Sequence, residues 1–107
     1  MTHKKAQKYL ELLQKNLQEA ELWQDVAPDA EAFLSQQPFA IDFLTATEWI
    51  QWIFIPKMLE LIDAKQSLPN QMAITPYLEE ALKEREDLDT LFAPLYDLEK
   101  LLQQHNN

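Results

Sequence analysis

The sequence predicts an all-α chain: a compact bundle of four to five helices around a central, Trp-rich, proline-kinked helix. Three observations carry this. No glycine occurs among 107 residues, where average usage would give about seven. Tight two-residue hairpins therefore lose their favoured residue, and phosphate-cradling loops lose the residue that lets backbone approach a ligand. Apolar residues recur three and four apart along most of the chain, the spacing of one helix face. Helix starts are also marked: Thr45-Ala46-Thr47-Glu48 has the form of a capping box, and Pro28 and Pro76 stand where proline suits a first helical turn. The length allows one domain, taken as 1–107, with a core that needs no disulfide or metal.

Each element follows from local pattern. Ala6, Tyr9, Leu10, Leu13, Leu17 and Ala20 form one stripe and predict a helix from about Lys4 to Trp23. Lys4, Lys5 and Lys8 sit at its positive dipole end, so the first turn is expected to fray. Pro28, Asp29 and Glu31 start a short helix over about 29–36 that gives Phe33 and Leu34 to the core. The following connector holds Phe39, Ile41, Phe43 and Leu44, too apolar for a free linker, and is expected to lie as a strap across the core.

The central helix starts at the capping box. At about 100° per residue, Trp49 to Ile55 cover the whole circumference, with Gln51 as the one polar side chain. Beyond them, Met58, Leu59, Leu61 and Ile62 share one side, and Lys57, Glu60 and Asp63 the other. Pro56 removes the amide that would bond the Trp52 carbonyl, a loss of about 3 kcal/mol in a regular helix. A kink after Trp52 is expected, leaving a free carbonyl beside an indole donor. Lys65 suits the end of this helix, and Pro69 and Asn70 mark a loop. Thr75 and Pro76 read as N-cap and first residue of a helix running to about Arg85, with Glu79 and Glu80 in its first turn. Leu88, Leu91, Phe92, Leu95, Leu98, Leu101 and Leu102 predict a last amphipathic helix containing Pro94. A restart capped by Asp89 would place that proline nearer its first turns.

Composition excludes several function classes. With no cysteine there is no disulfide, thiolate ligand or cysteine nucleophile. The two histidines, His3 and His105, lie at opposite ends, so neither a metal site nor a Ser-His-acid triad is expected in the body. Ser35 and Ser67 lack a nucleophile-elbow setting. The carboxylate pairs Glu60/Asp63 and Glu79/Glu80 read as solvated helix faces. No catalytic residue, metal or cofactor is assigned, and the chain is read as a non-enzyme.

Net charge is −9. Residues 1–15 carry four lysines and one acid, for +3; residues 16–107 carry five basic and seventeen acidic residues, for −12. Such a body repels nucleic acid and anionic lipid and suits a basic protein partner. The N-terminal stretch shows no signal pattern and no apolar run approaches the roughly 18–20 residues of a membrane span, so a cytoplasmic, non-membrane protein without direct nucleic-acid contact is expected. What remains is recognition. The candidate partner or ligand contacts are Trp49, Trp52, Pro56, Lys57 and Tyr77. Either the kink presents Trp49 and Trp52 to a partner, or Trp49, Trp52, Tyr77 and Phe92 line an apolar interhelical pocket for a small molecule or peptide. Homo-oligomerisation is compatible with both.

Three motifs add a resemblance. Gln37-Pro38-Phe39, the run from Glu48 to Met58 (E-W-I-Q-W-I-F-I-P-K-M), and Ala73-Ile74-Thr75-Pro76-Tyr77 are similar to marks of the YqcC-like family of small bacterial proteins, over about residues 6–102. The resemblance implies a compact all-α bundle. It supplies no catalytic residues. It also implies an association, through gene neighbourhood, with a tRNA pseudouridine synthase. This chain is too short to be that enzyme, which needs a catalytic aspartate in a much larger mixed fold. A basic, RNA-handling enzyme is the partner the resemblance suggests.

Overall fold

The computed structural model describes residues 2–69 and 74–104; the Asn70 loop signal, Ala73 and His105 lie outside them. Among the described residues every regular element is helical and no strand occurs, as the missing glycines and helical spacing predict.

Helix α1 spans Thr2–Glu19 and buries Ala6, Leu10, Leu13 and Leu17, with Tyr9 and Ala20 half-buried beside them. It starts before Lys4 and is anchored there: His3 Nε2–H donates to the Gln66 carbonyl at 2.7 Å, tying the first turn to the far end of the central helix. That bond offsets the poor placement of the lysines. The helix stops at Glu19, short of Trp23. Leu22 N–H donates to the Leu17 carbonyl at 2.9 Å and Glu21 N–H to the Gln18 carbonyl at 3.1 Å, a Schellman closure that folds Leu22 back on the helix end.

A Schellman closure needs a left-handed residue, and a chain without glycine must supply another. Glu21 takes it with φ 62°, and Lys65 takes the same role after the central helix with φ 55°. There, Gln66 N–H donates to the Leu61 carbonyl at 2.9 Å and Lys65 N–H to the Ile62 carbonyl at 3.1 Å. A left-handed residue bearing a Cβ costs roughly 1–2 kcal/mol, and Glu21 also places a negative charge at a negative helix end. Glu21→Gly is therefore expected to stabilise the protein by about 1 kcal/mol, after the larger unfolded-state entropy of glycine is subtracted. Urea denaturation reads this directly; a destabilised variant would mean that the Glu21 side chain makes a compensating contact.

The central helix runs without interruption through α2 (Ala46–Trp49), a π-helical turn (Ile50–Phe54) and α3 (Ile55–Asp63). Its predicted capping box is present: Glu48 N–H donates to Thr45 Oγ1 at 3.3 Å and Thr45 N–H to Glu48 Oε1 at 2.8 Å. Pro56 produces a widened turn rather than the expected kink after Trp52. Ile55 N–H reaches five residues back to the Ile50 carbonyl, which opens room for the proline ring. The girdle is mostly enclosed: Ile50, Gln51, Phe54 and Ile55 are buried, and Trp49, Trp52 and Ile53 half-buried.

The segment between α1 and the central helix departs most from expectation. Two 3₁₀ turns, Ala30–Leu34 and Pro38–Ala40, replace the helix over 29–36 and the strap. Ala32, Ala40 and Leu44 are buried against Trp49 and Ile53, and Phe39 is half-buried against the main core. Phe33, Leu34, Ile41 and Phe43 do not join the core. Short turns with a three-residue period expose two side chains for each one they bury, and here the buried one is small.

Helix α4 (Ile74–Ala81) ends before Arg85: Leu82 still bonds the Leu78 carbonyl and packs on the core, but Lys83 and Glu84 beyond it are exposed and offer no apolar face. Thr75 and Pro76 lie inside its first turn, and the cap comes from another helix. The buried Glu99 side chain accepts through Oε1 from the Ile74 and Thr75 amides at 3.2 and 3.1 Å, and through Oε2 from the Thr75 hydroxyl. The last amphipathic segment splits into α5 (Leu88–Leu91) and α6 (Ala93–Gln104) around Phe92, whose ψ is 13°. Pro94 explains the break: at the second position of α6 its missing amide is harmless, whereas inside one long helix it would cut a bond. Helix α6 packs along α1 and forms the other half of the core with Phe92, Leu95, Leu98, Leu101 and Leu102. The Cα radius of gyration, 13.6 Å, is near the ~13 Å of a compact domain of this length.

Candidate functional site

The central helix divides the predicted contacts between two faces. Glu48, Gln51 and Trp52 stand at i, i+3 and i+4 and share one of them. All three hold Gln24, in the loop after α1. Gln24 N–H donates to Gln51 Oε1 at 2.8 Å, and Gln51 Nε2–H donates to the Gln24 carbonyl at 2.7 Å. The Gln24 side chain accepts from the Trp52 indole at 2.9 Å and donates to Glu48 Oε2 at 2.9 Å. The indole thus bonds a glutamine, not a carbonyl freed by Pro56. The buried Gln51 amide replaces a strand partner for an isolated backbone group pair. Trp52 is a tether, and neither it nor Phe92, which is fully buried in the main core, belongs to the lining of the aromatic groove on the other face.

Hydrogen bonding holds the Glu48 carboxyl below its ordinary value, first through the Thr45 amide and then through the Gln24 side chain. Such a group binds fewer protons folded than unfolded, so its contribution is present at neutral pH and lost as pH falls through its folded value. Glu48→Gln is expected to flatten the stability profile below about pH 4.5, read by denaturation at stepped acid pH. An unchanged acid limb would show that Glu48 is not linked to folding.

The opposite face builds an aromatic groove. Trp49 meets Phe39 edge to face at 4.9 Å, and Phe39 stacks on Tyr77 at 4.1 Å. Phe54 lies 5.7 Å from Trp49; in a regular helix it would point about 140° away, and the π turn brings it round. Phe39 has φ 59° and Ala40 φ 48°. The strain of this left-handed pair is offset by wedging the Phe39 ring between Trp49 and Tyr77. Phe39, Trp49, Ile53, Met58 and Leu61, with Lys57 at the rim, line an open cavity of 340 Å³ that also touches Pro69 and Ile74. Pro56 is exposed. Burial pushes the Tyr77 hydroxyl above its usual value. Of the five predicted contacts, the cavity lining includes Trp49 and Lys57, and Tyr77 joins through Phe39.

Sequence reasoning missed a second surface. Among the described residues, the exposed large apolar side chains are Leu12 and five others within 26–43: Val26 (80%), Phe33 (46%), Leu34 (77%), Ile41 (60%) and Phe43 (51%). Phe33 and Leu34 lie in the first 3₁₀ turn and Ile41 and Phe43 just after the second, and the two stretches are held together by Ser35 Oγ donating to Asp42 Oδ1 at 2.5 Å and by the Ala32–Ala40–Leu44 cluster. Single exposed apolar residues are ordinary on a surface, whereas several on one folded layer are not. The connector's high apolar content was the available signal. Among the described residues, no group of histidine, cysteine or carboxylate side chains is arranged to hold a metal, and no helix is long and apolar enough to cross a membrane.

Comparison with known proteins places this arrangement. Residues 5–101 match the family model DUF446, whose description reads "tRNA pseudouridine synthase C". An uncharacterised protein of Haemophilus influenzae is 52% identical over 93 residues, covering 87% of this chain and 88% of that protein. The uncharacterised protein YqcC of Escherichia coli is 39% identical, covering 86% of this chain and 94% of its own length. The solution NMR structure of E. coli YqcC superposes with a TM-score of 0.88 at 34% identity, over 99% of this chain and 92% of that one. A tRNA pseudouridine synthase C of Pectobacterium carotovorum contains a 57-residue segment 42% identical to 53% of this chain, and that segment is 15% of the enzyme. With Phe39, Trp49 and Tyr77 of the three motifs seen in the groove and Glu48, Gln51 and Trp52 in the tether, the chain belongs to the DUF446 family of YqcC-like proteins.

Proposed function

We propose that this chain is a non-enzymatic, acidic helical interaction module that works in the bacterial cytoplasm as an accessory to a basic tRNA-modifying enzyme of the pseudouridine synthase class. One observation carries the reading: a segment like this chain occurs inside a protein named tRNA pseudouridine synthase C, as 15% of its length. Joining two modules in one chain raises their effective concentration to about the millimolar range for short linkers. Where the parts are separate proteins, surface affinity must do the same work. The charge of −9 supports a cationic partner, since opposite fields speed encounter and exclude wrong partners. The residues also support a non-catalytic role: the Glu48 and Glu99 carboxylates are taken up as tether and helix cap.

The test mixes the purified chain with the separately encoded synthase of the same organism. A complex on gel filtration, weakened several-fold between about 50 and 300 mM NaCl by screening, is expected, along with pseudouridine formation by the synthase and none by this chain alone. Absence of a complex at low salt would remove the accessory reading, and activity of the isolated chain would remove the non-enzymatic one.

The aromatic groove favours a second reading, a binder of an apolar small molecule or peptide. Its 340 Å³ lies near the lower end of ligand pockets, about 300–1,000 Å³. Quenching of tryptophan fluorescence by an apolar probe, abolished in Ile53→Lys with the fold retained, would establish it.

A further inference from the structure

We infer that the layer formed by the two 3₁₀ turns is the docking surface of this chain, and that its occupant is a cationic amphipathic segment of another protein. This rests on the reading above in one respect: the partner is a protein. The surface is chosen by exposure. Phe33, Leu34, Ile41 and Phe43 are on the outside of one layer fixed by the Ser35–Asp42 hydrogen bond and by small side chains beneath. They are presented by a folded scaffold, so docking them costs little ordering of the chain.

Charge selects the occupant. From Asn16 to Pro56 the sequence contains no lysine, arginine or histidine, and seven acids: Glu19, Glu21, Asp25, Asp29, Glu31, Asp42 and Glu48. Glu48 is engaged with Gln24 and Thr45 and Asp42 with Ser35, and Asp25, Asp29, Glu31 and Asp42 are exposed in the same segment as the apolar side chains. An apolar segment with exposed acids and no basic residue of its own disfavours its own copy, because a two-fold interface would oppose acid to acid. It rejects a phosphate backbone or an anionic membrane for the same reason. It fits a helix or loop whose apolar side chains are flanked by lysine or arginine, with apolar contact at the centre and ion pairs at the rim.

The experiment uses the full chain, ¹⁵N-labelled, and two synthetic amphipathic peptides of equal length: one of leucine and lysine, and one of leucine and glutamate. Amide shifts over 26–44 are expected with the lysine peptide and none with the glutamate peptide. The double variant Phe33→Ser/Phe43→Ser should keep the remaining spectrum and bind the lysine peptide at least tenfold more weakly. Asp29→Lys/Glu31→Lys should weaken binding several-fold and reduce its salt dependence. Three results would overturn the inference: no shifts; shifts centred on the groove at Ile53 and Leu61; or shifts spread evenly to the acids of α3 and α4. So would self-association through this layer, read by sedimentation of the unmixed chain. Because no synthase is present, failure of the enzyme partnership and failure of this surface are separable.

Discussion

Glu99→Ala is expected to lower folding stability by about 3 kcal/mol. Glu99 is buried on α6, and its carboxylate takes the Ile74 and Thr75 amides and the Thr75 hydroxyl at the start of α4. Hydrogen bonds to a charged acceptor contribute roughly 1.5–3 kcal/mol each. Two of these donors are helix-start amides with no partner inside their own helix. Removing the carboxylate frees the N-terminus of α4 and leaves a void against it; water can recover only part of the loss. Glu99→Gln keeps an oxygen acceptor and should lose only about 1 kcal/mol. Urea denaturation separates the two variants by their midpoints, with unchanged slope if the unfolded state is unaffected. Hydrogen exchange should quicken in α4 before α6 in the alanine variant. A loss below about 1 kcal/mol for Glu99→Ala would show that α4 is held by apolar packing of Leu78 and Ile74 alone.

Gln51→Ala is expected to cost about 2–4 kcal/mol. The substitution removes both bonds to the Gln24 main chain, one donated and one accepted, and strands a backbone amide and carbonyl in a part-buried site. It also deletes a side chain that is only 5% exposed. Gln51→Leu restores volume without hydrogen bonding, so a comparable loss in both variants would assign the effect to the stranded main chain. The indole of Trp52 and the carboxylate of Glu48 meet the Gln24 side chain, so the loop after α1 should loosen and the Trp52 emission should shift red in both variants. A wild-type emission maximum with normal stability would mean that the loop is held by its other contacts.

Both predictions concern polar residues whose roles the linear pattern could not show. Gln51 stood out only as the exception in an apolar run, and Glu99 as one acid among eighteen. Each acts across 24 to 27 residues of sequence, and no periodicity encodes such a partnership. The aromatic groove was half legible. Trp49, Lys57 and Tyr77 were singled out by motif and density, but Phe39 reaches its place through a left-handed backbone that no propensity favours for phenylalanine. Trp52 was grouped with Trp49 because they are three apart; the structure puts one on a tether and the other in a groove. The linear pattern assigns Phe33, Leu34, Ile41 and Phe43 inward because hydrophobic residues usually are, and all four are exposed.

The sequence by itself determined the helical class, the capping box at Thr45 and Glu48, the apolar stripe of α1 and the paired stripe of α6. These rest on interactions within four residues, or on a period that any amphipathic helix must obey. Tertiary structure alone decided how Pro56 is absorbed, where α4 is capped and which apolar residues stay outside. Those outcomes depend on free-energy differences of a few kcal/mol between competing contacts of distant segments. The helix spacing is settled one turn at a time, but the competition is settled only when the segments meet.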